Sequence, residues 1–368
     1  MYLHNFRALN FRNLEEIEIE LSPGLNLLLG PNGQGKTNCL EAIHYLATAT
    51  SPRTKRIDDL IRKGETTAYL KGELHNKESD PRILEFGFGK REKNMKLDGG
   101  SLPRIADLFG HLRVVFFSPS DLNIINGPPD ERRRFIDIAI AQIDPEYVRQ
   151  LQNYRYILRQ RNLVLRKQAY QGIDKLELET WDQELVKAGV KVQKQRSISC
   201  ENLGNFLERE YAQLTQHLEK VNLIYQSDIK GETESEKTDS FKSLLEDKLD
   251  NDLSQGSTSV GPHREDIRFL INGEDMRVFA SQGQLRSAAL SLRLAEIDLL
   301  DSEVGETPVL LIDDVIYEMD NARRESFLEL IAREGQSIIT ATSPEHLQTI
   351  SNRAKHFQVK SGSIAIVN

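Results

Sequence analysis

The feature that most constrains this chain is a glycine-rich loop near its start, which fits the phosphate-loop pattern GxxxxGK[ST]. The loop consists of Gly30, Pro31, Asn32, Gly33, Gln34, Gly35, Lys36 and Thr37. An apolar run over residues 25–29 precedes it, and apolar residues at helical spacing follow it. A strand, this loop and a helix in succession predict an α/β fold with a nucleoside triphosphate bound at the helix N-terminus.

The residue types of this loop each have a chemical use. Glycines let successive backbone N–H groups turn towards a phosphate, which a residue with a Cβ atom allows less easily. Lys36 can reach the β- and γ-phosphates, and the Thr37 hydroxyl can ligate Mg²⁺. The loop therefore predicts a nucleoside triphosphate and Mg²⁺ as the bound cofactors.

A second apolar run, residues 309–312, ends in two carboxylates, Asp313 and Asp314. We expect Asp313 to hold Mg²⁺ together with Thr37, directly or through a water molecule. Asp314 stands one residue further on, where a carboxylate can orient or deprotonate the attacking water. Lys36 and Asp314 are therefore the predicted catalytic residues. A strand that ends in acids is common by itself, so this interpretation depends on the phosphate loop.

A third motif, residues 280–284, reads Ala-Ser-Gln-Gly-Gln and precedes apolar residues at helical spacing. Ser281, Gly283 and Gln284 would then lie at a helix N-terminus, where the helix dipole and free N–H groups attract an anion. Taken alone, the same pattern is an ordinary helix cap. The two interpretations stay open on these residues alone.

The order of patterns along the chain predicts an insertion. Strand patterns lie towards both ends, at residues 17–21, 25–29, 83–88, 112–117, 267–271, 309–312 and 337–341. Asn272-Gly273 predicts a tight turn, and residues 361–363 predict the turn of a final hairpin into 364–367. A proline-free stretch between Pro145 and Pro262 has apolar residues at helical spacing. We predict a discontinuous lobe, 1–117 plus 260–368, with a helical lobe, 118–259, inserted into it. Three apolar stripes, at 151–165, 181–192 and 207–221, predict helices packed as an antiparallel arm or as an ordinary helical core. The polar residues 226–258 predict a mobile connection.

Composition excludes several classes of protein. The 368 residues are 39% apolar and 28% charged, which is typical of a soluble globular chain. The chain contains no run of eighteen apolar residues, so no membrane span is predicted. The first residues lack a signal-peptide pattern. The two cysteines, Cys39 and Cys200, cannot form a disulfide framework or a CxxC metal site. We therefore expect a cytosolic protein without a membrane partner.

Charge is distributed unevenly. The net charge of −8 argues against a protein that coats nucleic acid nonspecifically. Residues 131–167, however, hold nine Arg or Lys against four Asp or Glu, whereas residues 226–252 hold four against nine. Any contact with nucleic acid must therefore be local, and the acidic stretch must point elsewhere.

The order of the three motifs resembles that of the ABC-type ATPases. A wider set of spaced motifs resembles the RecF family of bacterial recombination-mediator ATPases. These motifs are residues 10–13 (Asn-Phe-Arg-Asn), 33–38, 51–54 (Ser-Pro-Arg-Thr), 117–122, 127–129, 132–135, 261–266 (Gly-Pro-His-Arg-Glu-Asp), 280–284 and 311–315. They cover both ends of the chain, and the helical stretch carries little of the resemblance.

The resemblance implies an ABC-type, SMC-like ATPase head with an inserted helical second lobe. It implies that ATP is sandwiched between two copies, with Ser281, Gly283 and Gln284 reaching the ATP of the opposite subunit. It further implies binding to gapped or junction DNA by the ATP-closed homodimer, and cooperation with RecR and RecO in loading RecA. The expected activity is a weak, DNA-stimulated ATPase that acts as a switch, because hydrolysis reopens the dimer.

Two arginine-rich groups are candidates for the DNA surface. The first is Arg132, Arg133 and Arg134, and the second is Arg53, Lys55 and Arg56. Guanidinium groups suit phosphate contacts, which need no base recognition. A charge run of this kind can equally be solvated or ion-paired.

Two departures and two alternatives accompany the resemblance. The family usually has Phe at position 52 and Ser at position 317, where this chain has Pro52 and Tyr317. The alternative class is the nucleotide-binding subunit of an ABC transporter. Such a subunit normally has a His at the end of the strand that follows the two acids, and residues 339–342 contain none. A purely ATP-switched binding protein with little turnover shares every motif, so it stays open.

Overall fold

The computed structural model describes residues 1–76, 80–171, 175–216, 218–319, 321–332 and 335–367. The chain forms two compact units: the first unit is Met1–Asp121 with Glu296–Asn368, and the second unit is Leu122–Ala295.

In chain order, the described strands are β1 (Tyr2–Phe11), β2 (Leu14–Glu20), β3 (Leu25–Leu29), β4 (Thr67–His75), β5 (Arg82–Gly89), β6 (Lys93–Leu97), β7 (Gly100–Ser101), β8 (Val114–Phe117), β9 (Val221–Gln226), β10 (Asp266–Ile271), β11 (Glu274–Asp275), β12 (Val309–Asp313), β13 (Ser337–Ala341), β14 (Lys355–Lys360) and β15 (Ser363–Val367). The described helices are α1 (Lys36–Thr48), α2 (Leu122–Asn126), α3 (Pro129–Ile143), α4 (Pro145–Gln171), α5 (Lys175–Leu214), α6 (Glu234–Asp247), α7 (Leu249–Gln255), α8 (Met276–Phe279), α9 (Gln282–Val304), α10 (Asn321–Ile331) and α11 (Gln348–Ser351).

The first unit contains two sheets. One is antiparallel throughout, in the order β2-β1-β4-β5-β6-β7. The other has the order β15-β14-β3-β13-β12-β8 and is parallel except for the β14–β15 hairpin. The strand that leads into the phosphate loop, β3, therefore lies between two strands from the end of the chain.

Helix α1 packs in an apolar core that the two sheets of the first unit share. Strands β12 and β13 are buried at every position, which is typical of parallel strands covered on both faces. On α1, Leu40, Ile43 and Leu46 are fully buried and belong to the same core as residues of both sheets. Because each end of the phosphate loop joins a packed element, the loop has little freedom.

Most predicted strands are confirmed by the structure, including β3, β10, β12, β13 and the final hairpin. The predicted tight turn at 272–273 links β10 and β11, with φ of 50° at Asn272 and 88° at Gly273. Strands β1, β4, β6 and β9 were not predicted. In β1 a bulge between Leu3 and Asn5 interrupts the alternation of buried and exposed residues that would have indicated a strand.

The second unit is built around long helices. The apolar stripes beginning at Trp181 and Leu207 were predicted as separate helices, and this is wrong, because both lie on the 40-residue helix α5. The last stripe also ends sooner than predicted: α5 stops at Leu214, Leu218 is 82% exposed, and Val221 begins β9.

The acidic stretch is ordered, so the prediction of a mobile connection over 226–258 is wrong. It contains α6 and α7. Thr233 and Glu236 form a reciprocal capping box at the start of α6. Phe241 and Leu245, four residues apart on α6, are buried. The helix therefore packs through one apolar face, while its acidic residues lie on the other faces.

The limits of the units differ from the predicted division. The prediction has the chain re-enter the first lobe at residue 260, whereas in the structure the chain re-enters the first unit at Glu296. The reason is strand pairing: β10 pairs along its length with β9 and extends to β11. None of the described helices is long and apolar enough to cross a bilayer.

Candidate nucleotide site

The phosphate loop has the backbone shape that its glycines predict. Gly33 and Gly35 have φ of 78° and 116°, in the region that disfavours residues with a Cβ atom. A Cβ at Gly35 would also lie 2.9 Å from Asn13 Oδ1. The buried Lys36 ammonium donates hydrogen bonds to the carbonyl oxygens of Gly30 (2.7 Å) and Pro31 (3.1 Å). The lysine charge is thus held across the mouth of the loop.

The two predicted Mg²⁺ ligands meet although 276 positions separate them. The Thr37 hydroxyl donates a hydrogen bond of 2.8 Å to Asp313 Oδ1. Asp313 ends β12, which is separated from β3 by β13 alone. Burial raises the pKa of Asp313, the hydroxyls of Thr37 and Thr340 oppose that rise, and the neighbouring Asp314 carboxylate adds to it.

Thr340 is a site residue that the sequence analysis missed. It is fully buried on β13, the strand between β3 and β12. Its hydroxyl lies 3.0 Å from Asp313 Oδ1 and 3.3 Å from Asp314 Oδ1, and it accepts a hydrogen bond of 3.0 Å from the Asp314 N–H. A single hydroxyl therefore joins both predicted acids. The signal was present as a hydroxyl residue on a neighbouring apolar strand.

Asp314 occupies a constrained backbone position, with φ of 51°. Its side chain is half-buried, whereas that of Asp313 is 7% exposed. A residue with positive φ turns the chain sharply at the end of the strand, which separates the directions of the two carboxylates. The arrangement leaves Asp314 more accessible to a water molecule than Asp313.

A buried carboxylate on α1 organises the next layer. Glu41 is fully buried and accepts a forked pair of hydrogen bonds from Arg12, at 2.9 and 2.7 Å. It also accepts hydrogen bonds from the Ser51 hydroxyl (2.5 Å) and Arg53 Nη1 (3.2 Å). Arg53 Nη1 lies in addition 2.8 Å from Asn38 Oδ1. The motifs 10–13 and 51–54 are thereby tied to the helix that follows the phosphate loop.

The final hairpin holds the phosphate loop from the other side. The Gly362 N–H donates to the Gln34 carbonyl oxygen at 2.8 Å, and the Ser361 N–H donates to Gln34 Oε1 at 2.7 Å. Gln34, in the middle of the loop, is therefore fixed through both its backbone and its side chain. Sequence reasoning assigned no role to residues 361–362 beyond a turn.

The motif 280–284 is a reciprocal cap at the start of α9 in the second unit. The Ser281 N–H donates to Gln284 Oε1 at 2.7 Å, and the Gln284 N–H donates to Ser281 Oγ at 3.3 Å. Gln284 Nε2 donates to Glu219 Oε1 at 2.6 Å, and the Tyr211 hydroxyl donates to Glu219 Oε2 at 2.7 Å. Gly283 lies in the first turn of α9 and is exposed. Glu219 is a second residue that the sequence analysis missed.

The first arginine group, proposed for DNA contact, is mostly engaged within the second unit. Arg132 is fully buried, and its guanidinium group donates hydrogen bonds of 2.7 and 2.9 Å to the Asp266 carboxylate. We therefore remove Arg132 from the proposed DNA surface. Arg133 is half-buried and donates to the Glu265 carbonyl oxygen at 2.6 Å. Burial lowers the pKa of both Arg133 and Arg134.

The second group is exposed and lies on the first unit. Arg53, Lys55 and Arg56 all have exposed side chains. Arg53 is tied to Glu41, and Arg56 forms a long ion pair of 3.9 Å with Asp59. Because both partners of the Arg56–Asp59 pair are exposed, that pair contributes little and is readily exchanged for a phosphate contact, whereas Glu41 is buried and holds Arg53. Lys55 and Arg56 stay in the proposed DNA surface because their side chains are exposed.

Tyr317, one of the two departures from the family pattern, makes a local contact. Its hydroxyl oxygen accepts a hydrogen bond of 2.7 Å from the Thr342 N–H and lies 2.9 Å from Thr342 Oγ1. The side chain thereby caps the end of β13, the strand that carries Thr340. Position 320, the end of the same family motif, lies outside the described residues.

The fold and the site define an ATPase head of the SMC type. A family model described as RecF/RecN/SMC N terminal domain matches residues 2–365. A protein named DNA replication and repair protein RecF from Streptococcus pneumoniae serotype 4 is 40% identical over 366 residues, covering 100% of this chain and 99% of that protein. The chain therefore belongs to the RecF family of DNA replication and repair proteins.

Solved structures agree with this assignment. A structure described as the recombination mediator protein RecF-ATP in the RecFOR pathway has a TM-score of 0.93 and 35% identity, covering 100% of this chain and 98% of that one. The Smc head domain from Pyrococcus furiosus, solved with the C-terminal domain of ScpA, has a TM-score of 0.56 and 16% identity over 100% of this chain and 96% of that one, which supports the fold alone. The matches do not favour the transporter subunit.

Proposed function

We propose that this protein is an ATP-dependent DNA-binding protein of recombinational repair. The observation that carries the proposal is the 2.8 Å contact between the Thr37 hydroxyl and Asp313, beside the loop lysine. This contact joins residues from the two ends of the chain, which supports a single phosphate and metal site. The relative solved as RecF-ATP supports ATP as the nucleotide.

The residues at this site fit Mg²⁺. A hydroxyl and a buried carboxylate are the hard oxygen donors that this ion prefers, and phosphate oxygens and water complete its shell. Thr37 and Asp313 would hold the ion, which would neutralise the negative charge that develops during phosphoryl transfer. Lys36 would contact the β- and γ-phosphates. Asp314 would orient the attacking water or accept its proton.

ATP binding would close a homodimer. On this proposal Ser281, Gly283 and Gln284 of one copy contact the ATP held by the phosphate loop of another. The closed dimer would bind gapped or junction DNA, and slow hydrolysis would reopen it. The RecFOR pathway named for the relative supports cooperation with RecR and RecO, which on this proposal serves to load RecA. A cytoplasmic location suits this role.

The first test measures mass in solution with and without ATP and Mg²⁺, together with binding to a gapped duplex. We expect ATP-dependent dimerisation and DNA binding in the wild type, and neither in Ser281→Arg, because a bulky cation at the α9 cap blocks the sandwich. Ser243→Arg adds the same charge on the exposed face of α6 and should behave as wild type. A wild-type monomer that hydrolyses ATP and ignores DNA would contradict the proposal.

Hydrolysis is tested separately from binding. We expect slow turnover of ATP that gapped DNA stimulates, and loss of turnover with retained ATP binding in Asp314→Asn. Steady-state phosphate release and equilibrium nucleotide binding measure the two quantities. An absence of turnover in the wild type, with or without DNA, would leave ATP as a binding switch only.

A further inference from the structure

Three side chains that can ligate a metal, and that the nucleotide site does not use, meet in the antiparallel sheet of the first unit. His4 lies on β1, and Glu73 and His75 lie on the neighbouring strand β4. One ligand atom of each residue lies within 4.8 Å of the others. We propose that His4, Glu73 and His75 form a binding site for a divalent transition metal of the zinc class.

The strand register creates this cluster. Tyr2 pairs with His75 and Leu3 with Leu74, but the register then shifts so that Asn5 pairs with Glu73. His4 is thus the extra residue of a β-bulge, and bulges redirect a side chain relative to the regular pleat. Glu73 and His75, two residues apart, share one face of β4. As a result, the His4 and His75 ring centroids lie 4.7 Å apart.

The donor set determines the class of metal. Two imidazoles and one carboxylate are typical ligands of zinc and related divalent metals, whereas Mg²⁺ and Ca²⁺ prefer sites made of oxygen atoms alone. His75 Nε2 lies 2.7 Å from Glu73 Oε1, so these two atoms already face a common point. Ligands of one tetrahedral ion lie about 3.3 Å apart, a spacing that small side-chain rotations from the present positions would reach. Three protein ligands leave one coordination position for water.

The surroundings support this arrangement. The Tyr2 hydroxyl lies 3.4 Å from His75 Nδ1, where a partner for the second ring nitrogen would fix the orientation of the ligand. The Tyr2 ring packs 5.2 Å from that of His75 and meets His4 edge-on. The side chains of His75 and Glu73 are 24% and 35% exposed, so an ion can reach them from water. The Glu20 carboxylate, which accepts a hydrogen bond of 3.1 Å from Lys355, also interacts electrostatically with His4.

The test is calorimetric titration of the full chain, stripped of metal with a chelator, with ZnCl₂ in excess Mg²⁺. Excess Mg²⁺ keeps zinc from the oxygen ligands of the nucleotide site. We expect saturable binding of one zinc ion per chain, abolished in His4→Ala and His75→Ala and weakened in Glu73→Gln. The matched control is His356→Ala on β14, outside the cluster, which should bind zinc as the wild type does.

Two further measurements keep the result clear of folding effects. Titration with Co²⁺ should give the visible absorption of a tetrahedral complex in the wild type and not in His4→Ala. In chelator, thermal unfolding of the variants should match that of the wild type, whereas added Zn²⁺ should raise the midpoint of the wild type alone. Zinc binding that is absent from the wild type, or unchanged in both histidine variants, would overturn the proposal. None of these readouts requires ATP, so they are independent of the proposed function.

Discussion

At the scale of single residues, the chemistry of the site depends on how one hydroxyl is shared. Thr340 lies between two carboxylates on the strand next to them, and its hydroxyl contacts both. A hydrogen bond to a charged group is worth about 1.5–3 kcal/mol, which is large compared with the cost of a surface substitution. The hydroxyl also opposes the rise that burial causes in the pKa of Asp313.

Thr340→Val should therefore lower ATP turnover by about tenfold or more, because a lost hydrogen bond to a carboxylate leaves the metal ligand less well held. The pKa of Asp313 should rise further, so that the loss of activity on acidification begins at a higher pH than in the wild type. Steady-state turnover across pH measures both effects. Thr342→Val makes the same change two residues on and should leave the acid limb in place. An identical shift in both variants would argue against a specific role for Thr340.

How far residues could be predicted from the sequence depended on how local their signal is. The eight residues of the phosphate loop, Asp313 and Asp314 were recognisable because consecutive residues carry the pattern. Thr340 and Glu219 were not, because their roles come from neighbours that only strand order and tertiary packing supply. Arg132 shows the opposite case: a run of three arginines indicated a DNA-binding surface, but the buried Arg132 side chain forms an ion pair with Asp266.

At the scale of elements, the N-terminus of α9 is held by a set of side-chain hydrogen bonds. Its cap residues Ser281 and Gln284 bond to each other, and Glu219 accepts a hydrogen bond from the Gln284 amide. This contact also fixes which end of the amide is the donor, and hence that its oxygen faces the Ser281 N–H. The helix start is thereby held in one conformation.

Glu219→Ala should weaken ATP-dependent dimerisation about three- to tenfold, because the cap loses its support and a helix cap is worth about 1 kcal/mol. Binding of ATP to the phosphate loop should be unchanged. Sedimentation over a range of protein concentrations gives the dimer affinity, and nucleotide binding is measured on the same samples. Glu201→Ala, at an exposed position on α5, is the control. Equal dimer affinities in all three proteins would show that Glu219 has no such role.

The elements that sequence reasoning misplaced share a physical cause. A helix as long as α5 contains two apolar stripes, and a stripe cannot show whether the chain turns back between them. The acidic stretch was predicted to be mobile from its composition, yet two buried side chains and one capping box are enough to form α6. In both cases packing against neighbours decided the outcome, and that information is not local.

At the scale of the whole molecule, charge is the property that matters for DNA. The net charge is −8, so the proposed contact with DNA must come from local groups of cations against an acidic background. After removal of Arg132, the candidates are Arg133 and Arg134 on α3 of the second unit and the exposed Lys55 and Arg56 of the first unit.

Each pair can be tested through the salt dependence of DNA binding. Arg133→Ala with Arg134→Ala, or Lys55→Ala with Arg56→Ala, should reduce the slope of log affinity against log salt by about 1.5–2, because two phosphate contacts are lost. ATP binding should be unchanged. Lys242→Ala with Lys248→Ala removes the same charge from the acidic stretch and should leave the slope as it is. A pair whose removal leaves the slope unchanged does not contact DNA.

The position of β3 has a consequence for synthesis of the chain. Both of its neighbours, β13 and β14, come from residues 337–360, and the loop that follows it is held by residues 361–362. During synthesis the phosphate loop therefore leaves the ribosome long before the strands and the turn that complete the site around it. A chain that lacks residues 337–362 therefore cannot gain the same stability from ATP, so nucleotide binding distinguishes chains that contain this segment from chains truncated before it.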